Sequence, residues 1–137
     1  MNKGVKMSQS NLEQWHKVIF NKDMELLREL LDESVEFHSP TLWKPKLGRD
    51  VTGFILKMVI GIFEDFKYHR QWIDGNNLAL EFSAKVDDKN IKGIDLIRFN
   101  DEGKIVHFEV MLRPINGLQA VFEKMTKHLQ DAGFAPK

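Results

Sequence analysis

Apolar residues recur every three or four positions through the first part of the chain and every second position through much of the rest. Leu12, Trp15 and Ile19, with Val18 beside them, make a helical stripe that Asn11 can cap, with Gln14 in capping-box position. Asn21-Lys22-Asp23 breaks that helix, and Asp23 caps a second one through Leu31 whose stripe is Met24, Leu27, Leu30 and Leu31. Asp32-Glu33 ends it, and Ser34 to Ser39 reads as a strand with Val35 and Phe37 on one face, closed by Pro40. A loop from Thr41 to Arg49 carries Trp43, and a third helix follows from Asp50 or Thr52 to about Phe63. Its Phe54, Ile55, Met58, Val59 and Ile62 cover more than one face, which predicts deep burial.

From Phe66 the period shortens to two, predicting strands at 66–74, 77–87, 90–100 and 103–114. Asp74–Asn77, Asp87–Asn90 and Asn100–Gly103 supply the turns of an antiparallel meander. Pro114 and Asn116 lead into a last helix carrying Leu118, Val121, Phe122, Met125 and Leu129, with Gly133 as its C-terminal cap. Helices first and strands later is an α+β plan, with residues 1–10 expected as a flexible tail and 11–132 as a single domain.

Composition narrows the function classes. The 137 residues are 42% hydrophobic, enough for one full core, and twenty basic residues balance twenty acidic ones. Without a basic excess, a nucleic-acid or anionic-membrane partner is not expected. The chain has no cysteine, which excludes disulfides, thiolate metal sites and a cysteine nucleophile. The polar first ten residues lack the apolar stretch of a secretory signal, and the longest apolar run, Met58 to Phe63, is too short to span a bilayer. A cytoplasmic protein is expected. His16, His38, His69, His107 and His128 show no ligand spacing, so no metal and no cofactor is expected.

The segment Gly93-Ile94-Asp95-Leu96-Ile97-Arg98-Phe99 carries the candidate chemistry. Alternation puts Asp95 on the same face as Ile97 and Phe99, so a core-facing strand turns a carboxyl inward. Such a group must be paired, protonated or used. Two readings stay open: an acid that hydrogen-bonds a ligand, or a structural acid satisfied by Trp15, an arginine or the backbone. On the last strand Phe108, Val110 and Leu112 share the pocket side, while His107, Glu109, Met111 and Arg113 share the other, suited to a dimer interface or a solvent ladder. Tyr68, Arg70 and Trp72 share one unassigned face; if it is the concave one, Arg70 would pair with Asp95 and keep it ionised. Trp43 is either a lid over an apolar ligand or an anchor pinning its loop to the core.

Three motifs, in this order of elements, carry a family resemblance: Asn21-Lys22-Asp23 with Leu26-Leu27 and the strand ending at Ser39-Pro40; Gly93-Ile94-Asp95 with Arg98-Phe99; and Gly103-Lys104-Ile105. Over residues 11–114 the chain resembles the nuclear transport factor two-like superfamily, and within it the SnoaL-like polyketide cyclases and ketosteroid isomerases. The resemblance implies a cone-shaped fold: a curved antiparallel sheet, N-terminal helices over its concave face, a C-terminal helix, and a deep apolar pocket. It also implies a homodimer formed through the convex face. Asp95 falls where the isomerases keep a protonated aspartic acid that donates to the substrate oxygen. Ser39 stands in place of their general-base aspartate, Trp15 in place of an oxyanion-site tyrosine, and Val110 in place of the cyclases' acid–base aspartate. Serine does not take a proton unaided.

The resulting expectation is a small-molecule binding protein or a cofactor-independent, isomerase- or cyclase-like enzyme acting on an apolar carbonyl or cyclic compound. Asp95 would be its acid, and Trp15, Phe37, Ser39, Phe54, Met58, Phe82, Phe108, Val110 and Leu112 its ligand-binding residues. The alternative is a non-catalytic ligand-binding or protein-interaction module of the same fold.

Overall fold

The computed structural model describes residues 3–133. Helix α1 spans Lys3–Asn21 and α2 Met24–Leu30; β1 (Leu31–His38), β2 (Lys46–Leu47) and α3 (Arg49–Ile62) follow. Four long strands come next, β3 (Glu64–Asp74), β4 (Asn77–Val86), β5 (Lys89–Phe99) and β6 (Ile105–Arg113), and then α4 (Ile115–Asp131). The α+β plan and the meander are as the periodicity predicts. α1 begins upstream of Asn11, so Asn11 is an interior helical residue, buried beside Gly103, and not a cap. Asp23 does cap α2, its Oδ1 accepting from the Leu26 N–H at 3.1 Å. Asp32 and Glu33 are strand residues, because α2 passes directly into β1 at Leu31. The two-residue strand β2, inside the expected loop, escaped the sequence pattern.

The six strands form one curved sheet in the order β2-β1-β6-β5-β4-β3. It is mixed: β1 runs parallel to β6, whereas the sequence predicts an all-antiparallel sheet. The hairpins β3–β6 are local, but β1 lies on the far side of β6, separated from it in the chain by α3 and the first three strands of the meander. On the concave side Leu78, Leu80, Phe82, Ile97, Phe99 and Phe108 pack against Trp15 and Val18 of α1, all almost fully buried. α3 contributes Thr52, Ile55, Leu56 and Ile62 to the buried side but leaves Phe54 40% exposed, so it is not buried all round.

Strand β3 decides what faces the cavity. Its pairing with β4 slips twice, between Glu64 and Lys67, where Asp65 has φ 52°, and again between Tyr68 and Gln71. Each slip places one extra residue in β3 and reverses the side-chain alternation. Tyr68 therefore stands opposite Phe82 on the concave face, while Arg70 and Trp72 lie on the convex one. The three do not share a face. Arg70 does not meet Asp95; its guanidinium makes two bonds, at 2.6 and 2.9 Å, to Glu81 on the convex side. The bonds from Arg70 and then Lys92 hold the Glu81 carboxyl down at about 2.

Candidate functional site

The concave side encloses a cavity of about 460 Å³. Trp15, Ile19 and Phe20 of α1, Leu56, Val59 and Ile60 of α3, Phe63 just after α3, and Phe66 in β3 form its walls. Phe82, Asp95, Phe108 and Val110 form its floor, while Lys22, Glu64 and Asp65 bring charge to the lining. Rings cover much of the surface: Phe66 stacks on Phe82 with centroids 5.0 Å apart, and Trp15 tilts against Phe108 at 5.1 Å.

Asp95 sits in this apolar floor at 6% exposure. Its hydrogen-bond partner is Tyr68, whose hydroxyl donates to Oδ2 at 2.9 Å. That hydroxyl in turn accepts from the Trp15 indole N–H at 2.8 Å. Trp15, one of the groups that could have satisfied Asp95, donates to Tyr68 instead and reaches the carboxyl only through it. Burial pushes the Asp95 carboxyl up to about 7, outweighing the Tyr68 bond that pulls it down. Burial, and then the charge of Asp95, push the Tyr68 phenol well above its ordinary range, so it stays protonated and remains a donor. His16 stacks on Tyr68 at 5.5 Å, and burial lowers its value, favouring the neutral ring.

The cavity brings together Trp15, Phe82, Asp95, Phe108 and Val110 of the residues expected to bind ligand. The others lie elsewhere. Phe37 is core, packed 6.0 Å from Phe108. Ser39 closes a turn, its Oγ accepting from the Thr41 N–H and lying 3.0 Å from the Thr41 hydroxyl. Phe54 borders a separate groove with Arg28 and Asp50. Met58 packs on the core, and Leu112 lies against Gly93, beyond the cavity floor. Trp43 is 97% exposed and neither lines the cavity nor anchors its loop. Tyr68, Phe20 and Phe66 were missed; Tyr68 was visible as a lone strand tyrosine, but its face depended on a bulge.

The architecture has clear counterparts. A steroid delta-isomerase structure from Pseudomonas aeruginosa is 45% identical, with 92% of this chain and 93% of that one covered and a TM-score of 0.88. The chain belongs to the nuclear transport factor two-like superfamily. A bacterial protein of cystatin-like fold from Silicibacter pomeroyi DSS-3 is 34% identical over 88% of this chain and 85% of that one, at TM-score 0.83. A SnoaL-like polyketide cyclase structure from Jannaschia sp. CCS1, 10% identical over 88% and 94% at TM-score 0.70, shares the superfamily fold. No protein-family model and no curated protein matches the sequence.

Within the superfamily frame, the floor carboxyl is Asp95, and the cavity side of β6 offers Val110, an apolar residue, opposite it in register. Among the described residues, no helix is long and apolar enough to cross a membrane.

Proposed function

We propose that the protein binds an apolar cyclic carbonyl compound in this cavity and polarises its oxygen through Asp95, in a cofactor-independent reaction of the isomerase type. The observation that carries this reading is a buried carboxyl raised to about 7 and facing an apolar cavity. With Oδ2 held by Tyr68, a protonated Asp95 presents its O–H from Oδ1 toward the ligand. That bond strengthens as negative charge develops on the ligand oxygen, which is how a neutral acid lowers the barrier to enolisation. A base must remove the proton beside the carbonyl; the C–H electron pair becomes the enolate double bond, and the proton returns at another carbon. Glu64 and Asp65 are the other carboxylates on the lining and the groups this reading assigns to that step. A cavity of this size suits a drug-sized ligand, and the 45% identity to a protein described as a steroid delta-isomerase favours a fused-ring ketone.

A second reading, ligand binding without turnover, is favoured by Ser39, which is occupied with Thr41 and lies outside the cavity lining. Calorimetry with a steroid enone, together with an absorbance assay for shift of a β,γ-unsaturated ketone into conjugation, tests both. Binding that weakens about tenfold in Asp95→Leu, which keeps similar size but carries no donor, matches loss of one strong hydrogen bond. Turnover selects the enzyme, saturable binding without turnover selects the binder, and no binding of either ketone refutes the proposal. A homodimer through the convex face, where Trp72 and Met111 are about half exposed, and a cytoplasmic location complete the reading.

A further inference from the structure

We propose that Glu36, His38 and His107 form a binding site for a zinc-class divalent cation on the convex face of the sheet, where β1 and β6 run side by side. The parallel register sets Glu36 beside His107 and His38 beside Glu109. Residues two apart in a strand share a face, so two imidazoles and two carboxylates make a square on the side away from the cavity. One potential ligand atom from each of Glu36, His38 and His107 lies within 4.8 Å of the others. Ligands about 2.1 Å from a tetrahedral zinc ion lie about 3.4 Å apart, so small side-chain rotations complete the site.

Three further observations support a ligand at this place. The His38 and His107 rings are stacked with centroids 4.6 Å apart, although they lie 69 positions apart in the chain. Neither the Glu36 nor the His38 side chain has a hydrogen bond or ion pair among the described residues, though both are partly buried. Glu109 holds the His107 ring through Nε2, with its Oε1 at 3.3 Å, leaving Nδ1 for a metal. An outer carboxylate of that kind is how proteins orient a ligating histidine.

The donor set decides the class of ion. Two imidazoles and one carboxylate suit zinc and its first-row neighbours better than calcium or magnesium, and three protein ligands leave a coordination position open to water. Two carboxylates, Glu36 and Glu109, stand beside one guanidinium here, Arg98 lying across from His107 on β5. The sequence hid this site because its ligands come from strands at opposite ends of the chain.

The test is zinc titration of the untagged, metal-free full chain by calorimetry, with cobalt(II) absorption as a second probe. One ion per chain is expected, with affinity falling about tenfold or more in His38→Ala and in His107→Ala. His128→Ala, on the exposed face of α4, should bind as the parent does. Melting curves without metal establish that each variant folds; Glu36→Gln, which keeps size, decides the matter if a histidine variant does not. Absence of saturable zinc binding, or binding unchanged in the folded variants, overturns the proposal. Neither result depends on the cavity ligand.

Discussion

Replacing Asp95 by Asn tests whether this carboxyl is held neutral by the fold. The change keeps size, and the amide oxygen can still accept from Tyr68 at the position of Oδ2. Unfolded, the carboxyl titrates at its ordinary 3.8; folded, burial raises it to about 7. Below the lower value both states hold the proton and pH has no leverage. Between the two, the unfolded state has lost a proton that the folded state keeps, so stability falls as pH rises. At about 1.4 kcal/mol per tenfold change in proton affinity, the gap amounts to about 4 kcal/mol by pH 7, as an upper bound. Urea unfolding of parent and variant at intervals from pH 4 to pH 8 reads it directly. Asp95→Asn should gain on the parent progressively up to about pH 7 and stay level above it. Parallel pH dependence in the two proteins would refute the reasoning, because Asp95 would then titrate alike folded and unfolded.

Tyr68→Phe removes both the donor to Asp95 and the acceptor of the Trp15 N–H; leaving that buried indole unpaired should cost about 1–3 kcal/mol in urea unfolding. The same change should move the Asp95 titration further up, since the Tyr68 bond lowers it, and an unchanged or lower value would count against the relay. Gly93→Ala would place a methyl 2.6 Å from Phe82 Cζ, Leu112 Cδ2 and the Met111 carbonyl, and should destabilise by about 1–3 kcal/mol; a neutral result would mean the sheet yields there. Trp43→Ala should leave affinity for a cavity ligand unchanged, as measured by calorimetry, because the ring stands in solvent away from the lining.

Local periodicity made most of the secondary structure legible. The stripe Leu12, Trp15, Val18 and the alternation Asp95, Ile97, Phe99 each turned the expected side inward. Asp95 could be placed because β5 keeps an unbroken register against β4. What stayed hidden depended on contacts between distant segments. The two bulges of β3 have no signature in Glu64-Asp65-Phe66 or His69-Arg70, yet they send Tyr68 to the concave face and Arg70 to the opposite one. The parallel pairing of β1 with β6, and the meeting of His38 with His107 that follows, required two strands separated by the whole meander. Ser39 misled for a different reason. A resemblance assigns a position on a strand, but here the strand ends at His38 and Ser39 has already entered the turn.

Carbon-13 NMR titration of the Asp95 side-chain carboxyl, assigned by its loss in Asp95→Asn, addresses the neutral acid most directly. A midpoint near 7 is expected, as burial dictates. A midpoint near the ordinary 3.8 would mean the group is ionised under ordinary conditions and cannot donate to a ligand oxygen.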